Sequence, residues 1–137
     1  MMTNRVARIF LGLMALAFCK VGIEAMIDPQ AVVGQVGITL DNPSALSSIR
    51  AVYGGMHFAF GLLCFWSLLK QPAPALWLIV LYTSGFLAGR SASLFIDGAP
   101  NAFVTTWFGT EAFSLLASSV LLVLLQQRSR SVAAVPA

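Results

Sequence analysis

Residues 47–66 read SSIRAVYGGMHFAFGLLCFW, an apolar run that nevertheless contains Arg50, Tyr53 and His57. The run is long enough to cross the roughly 30 Å hydrocarbon core of a bilayer as an α-helix. A charge at that depth costs at least about 2.5–3.5 kcal/mol on insertion scales, so it should face protein rather than lipid. Spacings of three and four residues place these side chains on one helix face. The stretch predicts a spanning helix with a polar stripe toward a bundle interior.

The rest of the chain has the same apolar character. Of its 137 residues 58% are hydrophobic and 9% charged, with a mean hydropathy of +0.86, whereas a soluble domain is about 25% charged. Four apolar stretches, each about 20 residues long, cover residues 6–27, 47–69, 75–95 and 103–125. No period-two alternation indicates barrel strands. We predict an all-α integral membrane four-helix bundle over residues 1–127, followed by a disordered cytoplasmic tail over residues 128–137.

Charges at the ends of these stretches predict the orientation of the chain. Lys and Arg stand before the first stretch, between the second and third, and after the fourth, at Arg5, Arg8, Lys70, Arg128 and Arg130. The other two connections contain Asp but no Lys or Arg. By the positive-inside rule both termini are predicted to be cytoplasmic, in a multi-pass protein. The net charge of +3 is scattered rather than gathered on one basic face, which argues against nucleic-acid binding.

Polar residues from all four stretches fall at similar estimated depths. Counted at about 1.5 Å per residue from the middle of each span, most lie on the extracytoplasmic side of the midplane, His57 lies near it, and Asp97 adjoins from a turn. The set comprises Lys20, Glu24, Arg50, Tyr53, His57, Arg90, Ser93, Asp97 and Glu111. Its formal charges balance, as a buried ion network requires. We expect one inward-facing layer in which Arg50 and Glu111 belong to a single network.

This layer has two interpretations. In the first, the ions pair only with each other and set the helix register. In the second, Arg50 and Arg90 line a cavity that binds an anionic or carbonyl-bearing lipophilic molecule, such as a quinone or a lipid, and Glu111 or Glu24 accepts a proton. All nine residues of the layer are candidate ligand-binding residues. The protein would then be a binding protein or an accessory subunit of a membrane complex.

Two other functions remain open at this point. A small membrane enzyme would use Glu111 or Glu24 for acid–base catalysis and Arg50 or Arg90 to stabilise negative charge. An oligomeric proton or ion pathway is the third candidate. The single His57 favours neither a haem nor a zinc site, and no cofactor or metal motif is present. We therefore predict no metal and no cofactor.

Two further features concern packing and partners. Gly85, Gly89 and Ser93 follow each other at a spacing of four, which lets helix backbones approach closely in a membrane. We expect that face to contact a neighbour, either in the same chain or in a second protomer or partner subunit. The longest connection, residues 28–46, is predicted to pack at the membrane interface, with a lid as the alternative.

Several spaced motifs resemble a known family. They are Arg50-Ala51-Val52-Tyr53-Gly54-Gly55, Gly89-Arg90-Ser91-Ala92-Ser93, Asp97-Gly98-Ala99-Pro100 and Glu111. The chain resembles the bacterial membrane proteins of the domain of unknown function 4345 and, more loosely, DoxX-like four-helix proteins. The resemblance implies a four-helix bundle in the bacterial inner membrane, with no established activity. It singles out Arg50, Tyr53, Arg90, Asp97 and Glu111, whereas Lys20 and His57 do not belong to the pattern.

Overall fold

The computed structural model describes residues 2–133, with side chains up to residue 128, and every regular element in that part is helical. The elements are α1 (Met2–Ile27), α2 (Pro29–Gly34), α3 (Pro43–Ile49), a π-helix (Arg50–Met56), α4 (His57–Leu69), α5 (Ala73–Ile96) and α6 (Ala102–Ala133). Since α3, the π-helix and α4 run on as one segment, four segments are long and apolar enough to cross a membrane. The predicted all-α four-helix fold is confirmed.

The two short helices begin at side-chain caps that the sequence supplies. Asp28 accepts a hydrogen bond from the backbone N–H of Ala31, and Asn42 accepts one from that of Ala45. Each cap is followed by a proline, whose fixed φ suits the first helical position and whose missing N–H is not needed there. The connection 28–46 therefore contains the short helix α2 and the start of α3, which continues into the bundle.

The long helices form two antiparallel pairs, α1 with the π-helix and α4, and α5 with α6. Glycines allow the first pair to approach closely. A Cβ atom at Gly22 would lie 2.7 Å from the backbone nitrogen of Phe58, and one at Gly61 would collide with Cys19. Small residues therefore bring the α1 and α4 backbones into contact.

The bundle has two unlike ends. We call the end where α1 begins and α4 ends the terminal end, and the opposite end, with the connections 28–46 and 97–101, the loop end. The core lies toward the terminal end and the middle of the bundle, and its buried residues are Ala7, Leu11, Ala15, Phe18, Cys64, Ala75, Leu76, Ile79, Leu121 and Leu122. Toward the loop end, α5 has no buried residue after Thr83, and α6 has none before Glu111. We call this region of α5 and α6 the open half.

One hydrogen bond joins the two pairs at the tip of the loop end. The side-chain amide of Asn101, which precedes α6, donates to the backbone carbonyl of Gln35 at 3.0 Å. Val33 in the same connection is only 3% exposed. The connection 28–46 is thus packed on the helices, and its action as a lid stays a prediction.

The last helix is longer than the sequence predicts. It continues to Ala133, beyond the expected end of the fourth span at residue 125. The chain after residue 125 contains no glycine, and its first proline is Pro136, so no helix breaker stops α6 at the end of the apolar run. Residues 128–133 of the predicted disordered tail are therefore helical, while residues 134–137 lie outside the described residues.

Candidate functional site

The charged residues do not form the single inward layer that depth alone predicts. Lys20 and Glu24 pair with each other at 2.6 Å, four residues apart on α1, with side chains 70% and 52% exposed. The buried residues of α1 are Ala7, Leu11, Ala15, Phe18, Gly22 and Ala25. This stripe of three- and four-residue spacings defines the packed face, and Lys20 and Glu24 lie off it. Similar depth does not imply a similar direction around the helix.

Arg50 also lies outside the expected network. Its Nε group donates to the backbone carbonyl of Met26 at 3.2 Å, near the end of α1, and the residue is exposed. The π-helix that begins at Arg50 has i→i+5 hydrogen bonds and more residues per turn than an α-helix. The α-helical spacing that aligned Arg50 with His57 therefore does not hold. The prediction that Arg50 and Glu111 share one network is wrong in this structure.

Arg90 and Glu111 make the one close contact between charged residues of different helices that the described residues show. The Nε and Nη2 groups of Arg90 donate to the two carboxylate oxygens of Glu111 at 2.7 and 2.9 Å. The Glu111 side chain is 8% exposed and that of Arg90 24%. A bidentate fork of this kind fixes the geometry of both groups. The pair ties α5 to α6 at the inner boundary of the open half.

His57 and Tyr82 form a second polar contact between helices. The Nδ1–H group of His57 donates to the carbonyl of Val52 at 3.2 Å, since a carbonyl oxygen can only accept. In the neutral imidazole Nε2 is then an acceptor, and the Tyr82 hydroxyl donates to it at 2.7 Å. This bond links the start of α4 to α5. The Val52 carbonyl of the π-helix thus fixes the His57 tautomer with its proton on Nδ1.

Aromatic rings surround this contact. The Tyr53 ring stacks on the His57 ring, with centroids 5.5 Å apart and an interplanar angle of 11°. Phe18 and Phe60 meet Tyr82 edge to face at 5.2 and 5.6 Å, in the geometry that aromatic quadrupoles prefer. These rings give the His57–Tyr82 contact an apolar surround.

The two polar contacts are continuous along α5. Phe86 packs on Tyr82 at 4.6 Å, and the Arg90 guanidinium lies 5.7 Å from the centre of the Phe86 ring. Tyr82, Phe86 and Arg90 follow each other at spacings of four and share one face. We call His57, Tyr82, Arg90 and Glu111 the polar cluster.

Ser93 and Asp97 lie at the end of α5, away from the polar cluster. The Ser93 hydroxyl donates to the Asp97 carboxylate at 2.6 Å, and both residues are exposed. Gly85 and Gly89 are exposed too, and a Cβ atom at either would meet nothing within 4 Å. Within the described residues, the face formed by Gly85, Gly89 and Ser93 thus has no close helix neighbour.

Among the described residues there is no group of three or more His, Cys, Asp or Glu side chains that could hold a metal ion. The two cysteines are free, Cys64 buried and Cys19 partly so, where α1 packs against α4. The arrangement of the polar cluster is instead one of paired donors and acceptors among aromatic rings. Such a site orients a polar group on an otherwise apolar molecule.

Residues 6–124 match the family described as Domain of unknown function (DUF4345). The match covers most of the chain. The protein is a member of the DUF4345 family. No curated protein and no solved structure matches the chain. The looser DoxX-like resemblance is not shown by these comparisons and stays a prediction.

In this DUF4345 protein the sequence reasoning found three members of the polar cluster and missed Tyr82. The sequence does contain a signal for Tyr82, because it precedes Arg90 by two spacings of four and is the only tyrosine of the third stretch. Depth does not identify it, because the depth criterion applies to charged residues and the polar residues near them in sequence, and Tyr82 has no charged residue close to it. Phe18, Phe60 and Phe86 were missed as well, because an aromatic residue in an apolar run does not indicate which way it faces.

Proposed function

We propose that this DUF4345 protein binds a lipophilic small molecule, a quinone or a lipid, at the polar cluster. The observation that carries the proposal is the position of the cluster, at the point where α5 and α6 stop burying their side chains. His57 and Glu111 are each 7% exposed. From Thr83 on α5 and from Glu111 on α6 toward the loop end, neither helix has another buried residue. A polar site at the base of an open, apolar region suits a molecule with a polar head and an apolar body.

The charge balance of the cluster favours a carbonyl group over an anion. Glu111 neutralises Arg90 through the bidentate contact, so the pair attracts a free anion weakly. The Nη1 group of Arg90 takes no part in that contact and has hydrogen-bond donors to spare. An unused donor at membrane depth is costly, and a quinone or ester carbonyl would satisfy it.

The aromatic rings support a flat or extended apolar body. Tyr53, Phe60 and Phe86 are partly exposed beside the cluster, and rings of this kind stack on a second ring or pack on an acyl chain. Together with Arg90, they would contact both parts of the ligand. This version of the site does not include Lys20, Glu24, Ser93 or Asp97. It does not include Arg50 either, which bonds to the carbonyl of Met26.

The enzyme alternative has less support. Both carboxylate oxygens of Glu111 already accept hydrogen bonds from Arg90, and the side chain is nearly buried, so neither oxygen is free to contact a substrate. Glu24, the other candidate base, is exposed and paired with Lys20. A binding or accessory role therefore fits the geometry better than acid–base catalysis.

An accessory role also needs a surface for a partner. The face formed by Gly85, Gly89 and Ser93 is exposed and open in the single chain, and small residues of this kind allow close helix contact in lipid. We assign to it the contact with a second copy or with a subunit of a membrane complex. Cross-linking between cysteines introduced at Gly89 in membranes, absent for cysteines at the exposed Leu94 on another face of the same helix, would support that contact.

The binding proposal is tested on the full chain, extracted with its surrounding lipid. Bound molecules are identified by mass spectrometry for the parent, Arg90→Lys, Tyr82→Phe and the control Ser93→Ala, which removes a hydroxyl of α5 outside the cluster. We expect the parent and the control to hold one compound in stoichiometric amount, and Arg90→Lys and Tyr82→Phe to hold less of it. A composition equal to that of the bulk membrane in all four proteins contradicts the proposal. Conversion of the compound by the parent supports the enzyme alternative.

We further propose that the protein resides in the bacterial inner membrane with both termini in the cytoplasm. The support is the distribution of charge, since Lys and Arg dominate the terminal end. Topology reporters fused at Gln71 and Gly98 should give opposite signals, cytoplasmic for Gln71. Equal signals, or the reverse, contradict this orientation.

A further inference from the structure

The terminal end of the bundle has positive charge without counter-ions in its own sequence. Five of the eight Lys and Arg residues belong to this end, Arg5, Arg8, Lys70, Arg128 and Arg130. None of the five Asp and Glu residues does, because the chain has none before Glu24, none between Asp41 and Asp97 and none after Glu111. Whatever neutralises this end therefore comes from outside the bundle.

Three of these cations converge on one depression. Arg5 and Arg8 from α1 and Arg128 from α6 line an open cavity of about 350 Å³, together with Asn4. Arg8 is also tied to the α4–α5 connection, through a long hydrogen bond of 3.4 Å from its Nη2 group to the carbonyl of Lys70. The three arginines thus come from helices distant in sequence and share one concave surface. Arginines that only contacted water would be spread around the helix ends.

The surroundings of the depression favour a lipid headgroup. The arginines lie at the end of spans that carry apolar, exposed side chains directly beside them, such as Val6 and Ile9 on α1. Guanidinium groups bind phosphate oxygens with planar, bidentate geometry. Basic pockets between spanning helices at the membrane surface are typical sites for anionic lipid headgroups.

We propose that Arg5, Arg8 and Arg128 form a binding site for the phosphate headgroup of an anionic phospholipid in the leaflet at the terminal end. This site lies at the opposite end from the polar cluster and is independent of the ligand proposed there. The acyl chains would lie along the apolar outer face of α1. The Asn4 amide, which also lines the depression, would contact polar groups of the head.

The test titrates the full chain in detergent with mixed micelles of phosphatidylglycerol or of phosphatidylcholine, and bound lipid is measured by native mass spectrometry. We expect tighter binding of phosphatidylglycerol by the parent. Arg5→Gln and Arg128→Gln should each weaken it about fivefold, which corresponds to about 1 kcal/mol per charge. Lys70→Gln removes the same charge from the same end without lining the depression and should leave binding unchanged. Arg5→Lys, which keeps the charge but loses the planar fork, should bind between Arg5→Gln and the parent.

Three outcomes overturn the proposal. Equal binding of the two lipids removes the preference for anionic headgroups. An equal loss in Lys70→Gln and Arg5→Gln shows attraction to diffuse charge rather than a pocket. A stoichiometric acidic protein that copurifies with the parent but not with Arg5→Gln, without a preference for phosphatidylglycerol, assigns the cations to a protein partner. Melting in phosphatidylcholine alone verifies that each variant is folded, and Arg5→Lys takes the place of Arg5→Gln where the latter is not.

Discussion

The two ends of the bundle are held together by different kinds of contact. At the terminal end and in the middle, close backbone approaches and small and aliphatic side chains such as Ala7, Leu11 and Leu76 bury the interface completely. Toward the loop end α1 still packs on the π-helix, but α5 and α6 bury no residue in the open half, and the contacts that join them to their neighbours there are polar, the Arg90–Glu111 pair and the hydrogen bond from Asn101. Apolar packing tolerates little change in shape, whereas a polar contact in a loosely packed region leaves room beside it. The difference indicates that the terminal end and the middle contribute most of the packing that maintains the fold, and it is the reason for proposing the ligand site in the open half.

The largest expected effect on stability comes from removing one of the two charged partners of the Arg90–Glu111 pair. Arg90→Met leaves the Glu111 carboxylate nearly buried without its partner, and Glu111→Leu leaves the partly buried Arg90 guanidinium without its own. Each should lower the free energy of unfolding by about 3–5 kcal/mol. The double variant should lose less than the sum, because the two residues are in direct contact. Thermal and denaturant unfolding in one detergent gives these values, and additive losses would show that the pair is not coupled.

The next effect tests the packed interface. Gly22→Ala places a methyl group against the backbone of Phe58 and Gly54, so α1 and α4 must separate, at a cost of about 1–3 kcal/mol. Gly109→Ala is the control, because a Cβ atom there meets nothing within 4 Å and alanine favours a helix over glycine. Unfolding of both variants is measured alongside the parent. Equal stability of the two variants would contradict the close approach of α1 and α4.

A smaller effect is expected for the hydrogen bond between α4 and α5. Tyr82→Phe keeps the ring that packs on Phe18 and Phe60 but removes the hydroxyl that bonds to His57, which should cost about 0.5–1.5 kcal/mol. Tyr53→Phe is the matched control, since the part of the chain that the structure describes shows no hydrogen bond from the Tyr53 hydroxyl. Nitrogen NMR of the His57 ring should change for Tyr82→Phe alone. The same change in both variants would argue against the assigned bond.

The smallest effect concerns the exposed pair on α1. Lys20→Gln removes an i,i+4 partner of Glu24 from a surface position, and pairs of this kind contribute about 0.3–0.5 kcal/mol. The unfolding midpoint should hardly move in comparison with Arg90→Met. A loss as large as that for Arg90→Met would mean that Lys20 has a partner outside the single chain.

The sequence predicts the four spans and the common level of Arg90 and Glu111, because hydropathy and the rise per residue of a helix are properties of the local chain. It does not predict which way a charged side chain faces. For α1 the information was present, since Ala15, Phe18 and Gly22 mark the packed face and exclude Lys20 from it. For Arg50 the sequence does not contain this information, because the π-helix that separates Arg50 from His57 depends on tertiary packing. No residue pattern marks a π-helix there, apart from the glycine pair Gly54 and Gly55.

The open half of α5 and α6 also determines how the proposed ligand would arrive. Exposed apolar residues such as Leu94 and Phe95 on α5 border it, so the approach runs sideways through the bilayer rather than through water. A compound dissolved in lipid is concentrated there relative to the aqueous phase, and occupancy depends on the ratio of that concentration to the dissociation constant. A weak site reached by lateral diffusion is thus filled as readily as a tight site reached from solution. Exchange would also be fast, which suits a carrier or sensor of a membrane-soluble compound better than a permanently bound prosthetic group.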